Sequence, residues 1–217
     1  LELAQQVRVG PEGVSLAGER LSHGAVSGLG GVRRVLMVSQ SAIGKNSRSC
    51  PATYIGIMAM VRDLFAALPE ARVRGYGQSR FSYNVRGGRC EACQGMGVQK
   101  LQMSFLPQLE ITCPVCDGRR YNSETTQVKF KGRSIADVLE LTASEAFELF
   151  ANIPPLARKI RILLDVGLGY LRLGQSSQTL SGGESQRIKL TKELARRSGS
   201  PTIDILDEPT VGLHFDD

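Results

Sequence analysis

The chain has 217 residues, of which 41% are apolar, 22% charged and 6% aromatic, an ordinary globular composition that excludes disordered and fibrous classes. Lys+Arg 27 against Asp+Glu 21 gives a net charge of +6 and a pI near 9.2, which suits a polyanionic partner without requiring one. The longest apolar stretch, Ile55 to Val61, falls far short of the roughly 18 to 20 residues of a bilayer span, so no membrane partner and a cytoplasmic location are expected.

In chain order, residues 1 to 34 are Gly-rich and weakly patterned, and Val35-Leu36-Met37-Val38 then reads as a short buried strand followed at once by Gln40. From Thr53 to Leu68 the apolar residues Ile57, Met58, Val61, Leu64, Phe65 and Leu68 recur at three and four, the spacing of one helix face, and Pro69 ends the run. Residues 72 to 133 change to short strand-like pieces and Gly-rich turns, too poor in apolar residues for a large core. This stretch is expected to be an inserted, metal-stapled module. Helices are expected over Ser134–Phe150 and Leu156–Val166, separated by Pro154-Pro155. Thr179–Gly183 is expected to be a turn and Glu184–Arg197 a helix with Ile188, Leu194 and Ala195 inward. Ile203–Leu206 then reads as a strand. The opening at Leu1 without Met and the acidic finish before Asp217 are those expected of a piece of a longer protein.

Four of the five cysteines form two C-x-x-C pairs, Cys90/Cys93 and Cys113/Cys116, with 19 residues between the pairs. Two residues between ligands let one tight turn aim both sulfurs at a tetrahedral ion, so the set predicts a structural Zn²⁺ site of four thiolates. Such a closed site has no open position for substrate and would stiffen a hairpin. Arg72, Arg74, Arg80, Arg86, Arg89 and Lys100 lie around the first pair with few acids in sequence, interleaved with Phe81, Tyr83 and Phe105. That mixture suits phosphate contact with stacking or wedging against bases; the alternative is a solvated charged face over a small aromatic core.

Leu180-Ser181-Gly182-Gly183-Glu184 opens a helix, with Ser181 and Glu184 at capping-box spacing and two glycines that leave backbone N–H groups open to a phosphate. Further on, the strand Ile203-Asp204-Ile205-Leu206 delivers two adjacent carboxylates, Asp207 and Glu208, then Pro209. In a nucleotide hydrolase the first acid can hold Mg²⁺ and the second can polarise the attacking water.

Leu-Ser-Gly-Gly-Glu followed by Ile-Leu-Asp-Glu-Pro-Thr resembles the signature and Walker B motifs of ABC-type ATPases. A closer resemblance comes from Arg80-Phe81-Ser82-Tyr83-Asn84-Val85, Gly87 to Gly95, Asp165 to Tyr170 and Gly212 to Asp217. These are similar to the C-terminal half of the UvrA family, the A subunits of the bacterial nucleotide excision repair nuclease. The similarity runs from about Gln40 to Asp217. It implies an α/β fold: a partial ABC-ATPase module of Q-loop strand, helical signature domain and Walker B strand, with an inserted zinc hairpin. The implied domains are 1–40 (partial ATP-binding core ending in the Q-loop), 41–198 (signature domain, with the insertion at about 72–133) and 199–217 (Walker B strand and D-loop). It further implies a DNA repair ATPase that dimerises, binds lesion-bearing duplex DNA and uses ATP to load a UvrB-like helicase subunit.

Carried over by residue, the resemblance makes Gln40 the Q-loop glutamine that senses Mg²⁺ and γ-phosphate, Asp207 the metal acid and Glu208 the catalytic base. Ser181, Gly182, Gly183 and Glu184 become the signature that closes over ATP held by the opposing module, and Cys90, Cys93, Cys113 and Cys116 the zinc ligands. Lys45, Arg48, Arg86, Arg89 and Lys100 are the expected phosphate contacts to DNA. A G-x-x-x-x-G-K-[ST] phosphate loop is absent between Leu1 and Asp217, so it is expected upstream, with the switch His downstream, and this chain alone is expected not to hydrolyse ATP. Ser39 stands where the family usually has Asp, Val211 replaces Thr, and Asp204 puts a carboxylate in a strand expected to be apolar. These departures keep open a drug self-resistance paralogue acting on DNA that carries bound drugs. A stand-alone zinc DNA-binding module with an inactive ATPase remnant is the rival from a different class, and a transport ATPase is the weakest.

Overall fold

A computed structural model describes residues 8–10, 13–16, 19–20, 34–44, 48–101, 109–195 and 202–208. The chain forms an α/β fold of two compact units: one draws on residues up to Ser41 and from Ser181 onward, the other runs from Ala42 to Leu180.

In the first unit, β1 (Arg8–Gly10), β2 (Gly13–Leu16) and β3 (Glu19–Arg20) make an antiparallel meander with Val9 opposite Val14 and Leu16 opposite Glu19. The strand β4 (Arg34–Val38) pairs in parallel with β9 (Thr202–Leu206), Leu36 opposite Asp204 and Val38 opposite Leu206. Parallel strands are ordinarily covered on both faces. Here Val38 is buried, but Met37 is 38% exposed and Ile203, Ile205 and Leu206 are exposed to a similar degree, so the expected buried strand is buried only at its end. Asp204 is exposed, and its carboxylate keeps its water at no burial cost.

The last helix among the described residues, α8 (Gly182–Leu194), also belongs to this unit. It starts two residues earlier than the apolar pattern suggests, because Ser181 caps it: the Ser181 Oγ accepts from the Glu184 N–H at 3.2 Å and the Glu184 carboxylate accepts from the Ser181 N–H at 2.8 Å. Ile188 is buried as expected, whereas Leu194 is 57% exposed and Ala195 lies beyond the last turn.

The second unit is helical. The expected helix from Thr53 to Leu68 is two, α1 (Pro51–Ile55) and α2 (Ile57–Ala67), broken at Gly56 with φ +85°. The apolar spacing runs through the break, and only the left-handed conformation open to glycine marks it. Pro69 stops α2 and supplies the first residue of α3 (Pro69–Val73). Phe81 packs on Phe65 at 5.6 Å and on Tyr76 at 6.4 Å between ring centres, and Tyr83 meets Tyr121 edge-on at 5.8 Å.

Beyond α4 (Ser123–Gln127) and the hairpin of β7 (Lys129–Phe130) and β8 (Arg133–Ser134), the expected helix 134–150 divides into α5 (Ile135–Glu140) and α6 (Ala143–Leu149). Each has its own capping box, Ser134 with Asp137 and Thr142 with Glu145. Pro154 and Pro155 form the first turn of α7 (Pro154–Asp165), where a missing N–H costs nothing, so they begin that helix instead of only separating two. Leu156, Ile160 and Leu163 of α7 join Phe65, Val61 and Leu168 in the core.

Candidate functional site

Between α3 and α4 the chain leaves the helical body through a closed neck. The Cys90 N–H donates to the Arg120 carbonyl at 2.9 Å, the Asn122 N–H to the Gly88 carbonyl at 3.1 Å, and Arg89 pairs with Tyr121. Beyond the neck β5 (Val98–Leu101) pairs antiparallel with β6 (Leu109–Thr112). The two cysteine turns at the base of this hairpin have the same shape. Each C-x-x-C is followed by two left-handed residues, Gln94 and Gly95 after the first pair and Asp117 and Gly118 after the second.

That geometry gathers four buried thiols, Cys90, Cys93, Cys113 and Cys116, with all sulfurs within 4.8 Å of one another and Cys93 to Cys116 at 3.7 Å. A tetrahedron of Zn–S bonds of about 2.3 Å has edges of about 3.8 Å, so the donor set fits Zn²⁺ in type and in size. The Gly97 N–H points at the Cys93 sulfur at 3.3 Å, a contact suited to a thiolate. Burial opposes ionisation of Cys113, but the N–H groups of Cys116 and Val115 outweigh it and bring the thiol down to about 7. Burial and the neighbouring thiols Cys93 and Cys113 push Cys116 up to about 12. The cluster can therefore ionise first at one sulfur and hold a cation there.

In the strand unit, Gln40, Gly182 and Asp207 come together. The Gln40 side-chain amide donates to the Asp207 carbonyl at 3.4 Å, and a Cβ on Gly182 would stand 2.8 Å from the Gln40 Oε1. Two residues of α8 unmarked by any motif join them. Gln186, 4% exposed, donates from Nε2 to the Asp207 carbonyl at 2.6 Å and the Val38 carbonyl at 3.1 Å. Lys189 donates to the Ser39 carbonyl at 3.2 Å and the Ser41 Oγ at 2.6 Å. Glu208 follows at φ +44°, a left-handed conformation that a side chain adopts at a cost of about 1 kcal/mol. A sequence signal for the two α8 residues exists in retrospect: 182, 186 and 189 are spaced i, i+4, i+7 and share one face.

No family model matches the chain. It is 58% identical over 193 residues to UvrABC system protein A of Thermus thermophilus, a match covering 89% of this chain and 20% of that protein. With UvrABC system protein A of Methanothermobacter thermautotrophicus it shares 56% over 195 residues, again 20% of the relative. A crystal structure of UvrA2 from Deinococcus radiodurans superposes with a TM-score of 0.81 at 52% identity, over 86% of this chain and 23% of that one. In sequence and in fold this chain is UvrA-like. It spans about a fifth of the length of the UvrA relatives it matches.

The residues expected to meet DNA in a UvrA-like protein are distributed unevenly. Lys45 and Phe105 lie outside the described residues. Arg48 is half-buried and donates to the Gln94 carbonyl at 3.0 Å, bracing the first cysteine turn. Arg86 is exposed. Arg89 pairs with Glu91 at 3.1 Å and Lys100 with Glu110 at 3.6 Å across the hairpin. Arg74 pairs with Glu70 and Arg80 with Glu124. Arg74, Arg80, Arg89 and Lys100, in a stretch poor in acids along the sequence, are thus matched by acids in space. Phe81 and Tyr83, expected as wedges against bases, are buried at 0% and 2% exposure and fill the core instead. Among the described residues, no helix is long and apolar enough to cross a membrane.

Proposed function

We propose that this chain is the signature-domain and zinc-hairpin portion of a UvrA-like ATPase of nucleotide excision repair, which binds lesion-bearing duplex DNA and couples ATP turnover to loading of a UvrB-like subunit. The observation that carries the reading is the meeting of Gln40, Gly182 and the Asp207 carbonyl at the carboxyl ends of the β4–β9 pair. Those three positions hold the Q-loop, signature and Walker B residues of the resemblance. Relatives named UvrABC system protein A over nine tenths of the chain support the repair assignment.

In this reading Asp207 would hold the Mg²⁺ of bound ATP, and that ion would neutralise phosphate charge. Glu208 orients and polarises the attacking water, and Gln40 senses Mg²⁺ and the γ-phosphate. The N–H groups opened by Gly182 and Gly183 at the start of α8 face a phosphate held by an opposing module, in a homodimer or between two modules of one polypeptide. Cys90, Cys93, Cys113 and Cys116 would hold zinc, which supplies a cross-link that stiffens the hairpin. Arg89 and Lys100 then lie on the module that zinc fixes and Arg86 just before its neck, as contacts to the DNA backbone.

The test is ATP turnover by a UvrA-length polypeptide that includes this segment, with and without Glu208→Gln. Mg²⁺-dependent turnover lost in the variant is the expected result, and turnover indifferent to Glu208 refutes the catalytic assignment. For the DNA contacts, replacing Arg86, Arg89 and Lys100 together should weaken lesion-duplex binding and flatten its salt dependence. An unchanged salt slope removes them from the interface.

A further inference from the structure

The carboxylates after β9 need a fixed backbone, and their own surroundings supply little of it: Asp207 and Glu208 are exposed, and Glu208 sits in a left-handed conformation. Strained backbone persists only where neighbouring structure over-determines it. The carbonyl of Asp207 and the nitrogen of Glu208 belong to one rigid peptide plane, so whatever holds that carbonyl sets the axis about which Glu208 turns. It accepts from Gln186 at 2.6 Å and from Gln40 at 3.4 Å, filling both lone-pair positions, while the Asp207 N–H donates to Val38 at 3.3 Å.

We propose that Gln186 is a positioning residue for the acidic pair: by donating both amide protons, one to the Val38 carbonyl and one to the Asp207 carbonyl, it locks the Asp207–Glu208 peptide plane to the strand end that leads into Gln40. The orientation of its amide is not arbitrary, because both partners are carbonyls that can only accept, so Nε2 must face them. A buried glutamine is costly unless satisfied, and here its two donors reach the ends of two parallel strands where ladder bonding stops. Lys189, one turn further along α8, fastens Ser39 and Ser41 on either side of Gln40 in the same way. The face of the helix that begins at the signature is thereby tied to the Asp207 carbonyl and to both flanks of Gln40.

This assignment rests on the ATPase reading, and the experiment separates the two. In a UvrA-length polypeptide carrying the segment, Gln186→Leu keeps the side-chain bulk and removes both donors; Gln186→Glu keeps the shape and presents acceptor to acceptor. Misplacing a catalytic group by about 1 Å costs up to about a hundredfold, so kcat is expected to fall about tenfold or more in both variants with KM for ATP nearly unchanged. Amide exchange at residues 207 and 208 in the chain itself should quicken while exchange in α2 and α7 stays as it was. A kcat unchanged in Gln186→Leu, in a polypeptide whose turnover depends on Glu208, overturns the proposal. So does a kcat loss that merely follows a fall in Tm. Turnover that ignores Glu208 defeats the ATPase reading instead, and unchanged exchange at 207 and 208 then defeats the backbone lock independently.

Discussion

The two units solve the burial problem differently. In the helical unit Phe65, Phe81, Phe150, Tyr83 and Tyr121 are closed inside, and their phenol groups find partners: Tyr121 donates to the Phe81 carbonyl and Tyr83 to the Arg48 carbonyl, each at 3.1 Å. In the strand unit the apolar residues of β9 are about two-fifths exposed, and the firmest ties from α8 are polar bonds to carbonyl ends. Apolar packing is strong but indifferent to small shifts in position. Hydrogen bonds to chosen carbonyls add less stability and fix geometry. One unit is built to stay folded and the other to hold groups in place.

Zinc removal should produce the largest effect and fall entirely on one side of this contrast. Structural zinc sites contribute about 10–16 kcal/mol in small zinc modules, so a chelator should release one metal ion per chain and accelerate amide exchange between Gly88 and Asn122, leaving β4 and β9 untouched. Equal acceleration in β4 would break the comparison. Phe81→Ala should cost about 3–5 kcal/mol, read as a drop in Tm of the helical unit. Gly95→Ala is next: a Cβ there would collide with the Tyr83 carbonyl and φ is +81°, so about 2 kcal/mol or more of stability should be lost in the metal-loaded chain.

The capping acids give a smaller, pH-dependent effect. The Thr142 N–H and hydroxyl hold Glu145 below the usual carboxylate range. A group depressed in the folded state contributes stability above its unfolded pKa of about 4.3 and loses it as pH falls through the folded value. Glu145→Gln, which cannot titrate, should therefore flatten the loss of Tm on acidification below about pH 4. Smallest of all, Ile205→Ser on the half-open strand should change stability by no more than about 0.5–1 kcal/mol. A cost as large as that of Phe81→Ala would show that the strand is covered in the working protein.

The cysteine cluster was legible because ligand spacing is a local constraint that any folded state must obey: Cys90, Cys93, Cys113 and Cys116 meet as their two short intervals require. The capping box that opens α8 was legible for the same reason, since Ser181 and Glu184 cap within one turn. Element boundaries were less so. Apolar spacing continued through Gly56, and the exposure of Leu194 depends on what α8 packs against, which periodicity does not encode. Gln186 and Lys189 were invisible because polar residues on a helix read as solvent face. Their partners are strand-end carbonyls contributed from far away in sequence. Phe81 and Tyr83 misled in the opposite sense, since arginines beside rings suit both a nucleic-acid face and a core lined by cation–π contacts such as Arg120 over Tyr83 at 5.2 Å.

The neck of the cysteine module has an evolutionary consequence. Gly88 and Asn122 leave and re-enter the helical body side by side, bonded to each other, and Cys90 and Arg120 continue that pairing one step outward. An excursion whose two ends are already joined costs its host only the logarithm of its length in closure entropy. The module between Gly88 and Asn122 can therefore change in length or charge while the body beneath keeps its register. Selection can retune what the hairpin reaches without renegotiating the fold that carries it.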